Sequence, residues 1–252
     1  MFYRFNLLQK FSDRVAHAVF SRNFGVSSPP YNSLNVRYGI GDSRINVDEN
    51  RKIILEALGF KRLVSANQTH SNNVLVVDDA FLNLNSAGME PNNVDALVTN
   101  VRGVALMIQV ADCQAILIYD PKKQVVAGVH AGHRGLAKDI SLEVINIMRA
   151  NFSCNSDDLI VCISPSLGPK SAFFSNPKEE LPVSFEPFID SKKRVNLWEF
   201  SVAQLESHGI RQNNIELMRV CTKGDDGKNF FSFRRENGIT GRFGVVIGLP
   251  EL

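Results

Sequence analysis

His70, Cys113 and His130 are the residues of this chain whose types combine most readily into a reactive centre. Two imidazoles and a thiol make a three-ligand metal set with a fourth position open to water or substrate, the arrangement of catalytic zinc sites. Each sits where an expected strand meets a polar turn: NQTHS around His70, ADCQ around Cys113 and VHAGHRG around His130. Their wide separation is not a local ligand motif. Taken singly, each has a plainer reading, Cys as a small buried hydrophobe and His as a hydrogen-bonded ring. A third chemistry uses the same residues without metal, a Cys113 nucleophile activated by His130.

The neighbours add candidates. Asp112 precedes the thiol and could shuttle a proton, as the carboxylate of zinc deaminases does, or orient a ligand or an arginine instead. The turn HAGHRG runs from a strand into a helix starting near Leu136, so its backbone N–H groups and Arg134 could bind an anion. The alternative is an ordinary turn with Arg134 in solvent. In the helical pattern Val47 to Leu58, Asn46 and Glu49 fit a capping box, and Arg51 falls in the apolar stripe of Val47, Ile54 and Leu58. A guanidinium on a buried face needs a carboxylate, from Asp42 or Asp112, or an anionic ligand. Near the C-terminus, FFSFRRE and TGR place Arg234, Arg235 and Arg242 close together, with Arg234 and Arg242 open to a phosphate or sugar.

Positioning these residues takes many strands. Val15 to Ser21, Asn73 to Val77, Val104 to Val110, Ala115 to Tyr119, Val125 to Val129, Leu159 to Ile163, Ile215 to Val220, Phe230 to Phe233 and Phe243 to Ile247 are short, β-branched or aromatic, and bounded by turn signals. Helical patterns lie at Val47 to Leu58, Leu136 to Ala150 and Leu197 to Ser207. Three strands run in succession from Val104 to Val129, with Pro121-Lys122-Lys123 as a hairpin turn. The pattern predicts an α+β fold of mixed β-sheets covered by helices rather than a doubly wound parallel sheet. Asn83 to Asn93 reads as a surface loop, and no linker or repeat divides residues 1–252, which we read as a single domain.

At 252 residues, 28 Lys plus Arg against 26 Asp plus Glu give a net charge of +2. That balance offers no reason to expect nucleic acid or an anionic membrane as partner, and points to a small-molecule substrate. Met1 to Lys10 lacks signal-peptide features, and no run is long enough to span a bilayer. The four cysteines show no disulfide framework. A reducing cytoplasm is the expected compartment.

The motifs NQTHS, DALVT from Asp95, ADC, HAGHRG, ISPSLGP from Ile163, FFSFRRE and TGR occur in one order. In that order, from about Ser21 to Leu249, the chain resembles the purine nucleoside phosphorylase family formerly described as laccase-domain or polyphenol oxidase proteins. The resemblance implies a layered α-β sandwich with His70, Cys113 and His130 as ligands of zinc. It further implies phosphorolysis of adenosine, inosine, guanosine and methylthioadenosine, with hydrolytic deamination of adenosine. The Asn50-Arg51 pair also matches the family, supporting Arg51, with Arg134, as phosphate-facing. The chain departs from the pattern at His133, where the family has Trp, at Gln114, where it has Pro, and at Lys170-Ser171-Ala172. His133 would then stack a base differently, or compete as a ligand.

Zinc bound in this set would bring a water's pKa toward neutrality, the chemistry that deamination requires. Phosphorolysis needs cations that aim phosphate at C1′. A copper-dependent polyphenol oxidase is the rival reading, since two His and a Cys also suit blue copper. Five histidines in all are too few for its additional copper centres, and copper binding in vitro would follow simply from its place atop the divalent affinity series. A non-catalytic purine-binding partner protein is the remaining alternative.

Overall fold

Side chains of the central strands alternate between two buried faces, which is why their sequences are apolar throughout. The computed structural model describes residues 1–85, 88–225 and 227–251. Its strands are β1 (Phe2–Tyr3), β2 (Ala16–Phe20), β3 (Arg62–Val64), β4 (Val74–Val76), β5 (Ala96–Thr99), β6 (Val104–Val110), β7 (Gln114–Asp120), β8 (Val125–Ala131), β9 (Ile160–Ile163), β10 (Ile215–Leu217) and β11 (Phe243–Gly248). They form two sheets, one ordered β1-β2-β11-β6-β3 and the other β10-β9-β7-β8-β5-β4. Both are mixed: β3 runs parallel to β6 and β4 to β5, whereas β11 with β6 and β7 with β8 are antiparallel.

Alternation along each strand builds the layers. Leu106 and Ile108 of β6 and Val245 and Ile247 of β11 meet Leu117 and Tyr119 of β7 between the sheets. The intervening residues Ala105, Met107 and Val246 face the helix Arg44–Leu58, packing with its Ile54. On the other side Ile116 and Ile118 meet Val144, Ile145 and Met148 of the helix Ile140–Phe152 and Phe200 of the helix Leu197–Ser207. The result is a four-layer α-β-β-α sandwich, in which each fully buried Leu, Ile or Val contributes about 1.5–3 kcal/mol by leaving water. No helix among the described residues is long and apolar enough to cross a membrane.

The chain crosses between the two sheets in passing from β3 to β4 and from β6 to β7. His70 lies in the first crossing and Cys113 in the second, while His130 sits near the end of β8. The β7–β8 hairpin pairs Asp120 with Val125, with the turn at Pro121-Lys122-Lys123-Gln124.

Several elements differ from expectation. Phe230–Phe233 is not a strand but enters a turn, with Glu236 N–H donating to Ser232 O and Gly238 N–H to Phe233 O. Its phenyl groups Phe230 and Phe231 still fill the core between the sheets, so the apolar run reflects burial without strand geometry. The first long helix begins at Arg44 with Ser43 at its N-cap, and Asn46 instead donates to Asp42. The expected helix Leu136 to Ala150 is two, His133–Ala137 and Ile140–Phe152, divided where Asp139 takes φ of 53° and caps the second. Of the expected loop Asn83 to Asn93, Asn83 and Leu84 end the helix Asp79–Leu84, and Ser86 and Ala87 lie outside the described residues.

Candidate metal centre and its cavity

Folding brings together the three residues that the sequence holds apart: one ligand atom each from His70, Cys113 and His130 lie within 4.8 Å of one another. Cys113 Sγ is 3.6 Å from His70 Nε2, and the two imidazoles meet edge to face with centroids 4.7 Å apart. His70 and the neighbouring Asp112 hold φ of 63° and 89°, conformations uncommon for non-glycine residues that persist only where surrounding contacts enforce them.

Asp95, the residue before β5, enforces much of this. Its carboxylate accepts the backbone N–H groups of Thr69, His70 and Ser71 and the Ser71 hydroxyl. It also accepts from His130 Nδ1 at 2.7 Å, so Nε2 is the ring nitrogen left to a metal. The sequence offered DALVT as a motif but no role for its aspartate. A carboxylate at the mouth of a buried strand is the signal that could have found it.

The electrostatics follow from this packing. Burial raises the Asp95 carboxyl, but the His130 and Ser71 hydrogen bonds outweigh it and hold the group well below the usual carboxylate range. Burial likewise raises the Cys113 thiol, yet the His130 charge and hydrogen bonds from both imidazoles bring it down to about 6. For His130 burial favours the neutral ring, and Cys113 together with Asp95 overcomes this to raise its pKa to about 9. These shifts favour a thiolate at Cys113, the form of the sulfur that binds a cation, while His130 must release its Nε2 proton to serve as a ligand.

The three residues open into a cavity of about 450 Å³. Gly132 lines it for a steric reason: a Cβ there would lie 2.8 Å from His70 Cδ2 and 2.9 Å from Cys113 Sγ. His133, Phe174 and Leu197 supply an apolar side, with the His133 ring edge-on to Phe174. Burial and then the Arg134 charge lower the His133 pKa, favouring a neutral ring. His133 stands outside the metal-capable cluster. Gln114 ties the end of β7 to the helix Leu197–Ser207, donating to Leu197 O and accepting from Ser201.

Asp112 also lines the cavity, but both its oxygens are engaged. Oδ1 accepts from Thr222 Oγ1 at 2.6 Å and Oδ2 from Arg234 N–H at 2.7 Å. Arg51 is not brought to the cavity. Its guanidinium donates to Val36 O and Ser65 Oγ and pairs with Glu90 at 2.8 Å, stacking over Tyr38. The internal carboxylate is thus Glu90, in irregular chain that nothing in the sequence ties to the helix, rather than Asp42 or Asp112. Arg134 is exposed outside the cavity lining, on the solvent side of the first turn of the helix His133–Ala137. The cavity arginines are Arg37, Arg234 and Arg242. Arg37 was missed because it sits in irregular chain, where no periodicity marks a face.

The sequence model of the family described as multi-copper polyphenol oxidoreductase laccase matches residues 16–250. A protein named purine nucleoside phosphorylase from Bacteroides thetaiotaomicron is 32% identical, covering 92% of each chain. Another of that name from Haemophilus influenzae is 31% identical over 90% of this chain and 91% of its own. Among solved structures, the Bacillus licheniformis hypothetical protein YfiH superposes with a TM-score of 0.85 at 28% identity, covering 93% of this chain and 92% of its own. YlmD from Geobacillus stearothermophilus gives 0.82 at 26% identity, covering 94% and 92%.

Proposed function

This chain belongs to the multi-copper polyphenol oxidoreductase laccase family, and from that membership we propose that it is a zinc-dependent purine nucleoside phosphorylase that also deaminates adenosine. The relatives named purine nucleoside phosphorylase support a nucleoside-processing enzyme. The observation that carries the reading is the His70–Cys113–His130 cluster opening into a cavity of about 450 Å³, within the size range of small-molecule sites.

The donor set fits zinc. Two imidazole nitrogens and a thiol of depressed pKa are borderline-soft ligands, Asp95 fixes the His130 ring, and Gly132 leaves the space clear. When bound, the metal would act as a Lewis acid toward water or a substrate atom. The protein's own residues do the rest. The apolar side formed by His133, Phe174 and Leu197 receives the purine, and Asp112 holds the Arg234 backbone at the cavity. In phosphorolysis a phosphate oxygen forms the bond to C1′ as the bond to the purine nitrogen breaks, so the chain must align the two and bind the anion. Adenosine, inosine, guanosine and methylthioadenosine are the substrates of this reading, and hydrolysis at C6 of adenosine is its second activity.

The family's oxidase description asks for further copper ligands, which the histidines do not supply. His17 Nε2 accepts from Phe5 N–H in the core, and His208 bonds Asp139. His70, Cys113 and His130 form the single metal-capable cluster found among the described residues.

The test is incubation of metal-analysed protein with adenosine, with and without phosphate, and identification of products. Adenine formed only with phosphate supports phosphorolysis, and inosine formed without it supports deamination. Absence of both products from metal-replete protein, or wild-type rates in Cys113→Ala, overturns the proposal. Full activity in metal-free protein would transfer Cys113 and His130 to a thiol mechanism.

A further inference from the structure

Three guanidiniums line the cavity, from Arg37, Arg234 and Arg242, and among the described residues none forms an ion pair with a carboxylate. Other arginines nearby differ: Arg22, Arg51 and Arg235 each hold a glutamate, at 2.6, 2.8 and 3.1 Å. Asp112, the carboxylate closest in the cavity wall, uses its oxygens on Thr222 and the Arg234 backbone. No carboxylate forms an ion pair with any of the three among the described residues, and the negative groups Cys113, Asp112 and Glu236 act on Arg242 only from a distance.

The arrangement is built. Asn35 is fully buried, and its Nδ2 donates to Arg37 O and Asp42 Oδ2, which defines Oδ1 as the acceptor. That one oxygen accepts both backbone N–H groups, Arg37 at 3.1 Å and Arg242 at 2.9 Å, while Val36 N–H donates to Arg242 O. Two like charges are thereby seated side by side. Each side chain is steadied from behind: Arg37 by Asn67, Arg242 by Thr240 O and Gly241 O, Arg234 by Phe173 O. The remaining N–H groups have no protein partner among the described residues. Burial and the Arg37 charge pull the Arg242 pKa below its ordinary value, a repulsion that an anion between them would relieve.

We infer that Arg37, Arg234 and Arg242 form a subsite for inorganic phosphate beside the metal centre. The inference rests on the phosphorolysis reading for its ligand and on the Asn35 geometry for its place.

Calorimetric titration of inorganic phosphate into the metal-loaded full chain tests it, using wild type, Arg37→Gln, Arg242→Gln, Arg242→Lys and Arg134→Gln. Loss of one charge-assisted contact is expected to weaken phosphate binding about 10- to 100-fold in each cavity Gln variant. Arg242→Lys should recover part of the loss, and Arg134→Gln should match wild type. Metal content and circular dichroism report folding. Should Arg242→Gln not fold, the half-buried Arg37 carries the test. Unchanged affinity in the folded Gln variants overturns the subsite, as does absence of phosphate binding to wild type. Adenosine 5′-monophosphate is titrated in parallel; its binding through these arginines without inorganic phosphate binding also overturns the proposal. Phosphorolysis with an unaltered KM for phosphate in the variants removes the subsite and keeps the enzyme reading. Phosphate bound through the arginines without nucleoside turnover keeps the subsite and removes the enzyme reading.

Discussion

Asp95 and His130 are joined twice, through the Nδ1 to carboxylate bond at 2.7 Å and through His130 N–H donating to Asp95 O at 2.7 Å. The same carboxylate fixes the His70 backbone, so one side chain orients two imidazoles. Asp95→Asn is expected to lower metal affinity about 10- to 100-fold, the usual effect of losing a partner behind a ligand. Competition with a chromophoric chelator measures it, and wild-type affinity would show that the ligands need no such support.

Cys113 should reveal its environment in metal-free protein. With the thiol at about 6, against roughly 8.5 for an ordinary cysteine, alkylation should be slow below that pH and reach its plateau by neutrality. His130→Ala removes the main stabilising charge and should move the midpoint upward. Metal loading should protect the sulfur. Peptide mapping separates it from Cys154, whose thiol burial and the Asp120 contact push to about 12.

The Arg51–Glu90 pair is predicted to be structural. Arg51→Ala leaves the Glu90 carboxylate without its counter-ion in a mostly buried setting, held only by Ser65 and Gln109, a change expected to cost up to about 3–5 kcal/mol, the range for breaking buried pairs. Urea unfolding should show the loss while metal content per folded molecule is retained. Burial raises the Glu90 carboxyl, but Arg51 and the hydrogen bonds from Ser65 and Gln109 bring its folded pKa below the ordinary value. Its contribution is therefore complete above the unfolded carboxylate pKa of about 4.3 and declines as the pH falls through the lower folded value. Glu90→Gln should flatten the acid limb of a melting-temperature profile between neutrality and about pH 3.

Gly132→Ala is expected to damage the centre without unfolding the chain. The added methyl approaches His70 and Cys113 within 3 Å, and the only relief is displacement of ligands. Metal analysis should find substoichiometric metal at concentrations that saturate wild type, with a near-native circular dichroism spectrum.

The strands that the sequence marked clearly are those buried on both faces, such as β6 and β7, because two-sided burial writes an unbroken apolar run. Edge strands β1 and β3, short and partly exposed, were missed, and so was β5, which is buried but only four residues long. The three candidate ligands were legible by residue type and by their place at strand ends. Their convergence was not, since it depends on the crossings between sheets, and neither Arg37 nor Asp95 can be assigned before those crossings bring them to the site. Arg51 shows the converse: its helical face left open an internal carboxylate or an anionic ligand, the resemblance favoured phosphate, and the structure supplies Glu90 from a loop joined only in three dimensions.

Because His70 and Cys113 ride on two of the crossings between the sheets, the ligand set exists only after both sheets have closed on each other. Metal occupancy and folding are then one linked equilibrium. An ion with affinity for the closed form alone would stabilise it by RT ln(1 + [L]/Kd), so a metal bound at this cluster would act as a clasp on the sandwich whatever reaction it served. Chelation should accordingly lower the melting temperature, in step with free metal concentration.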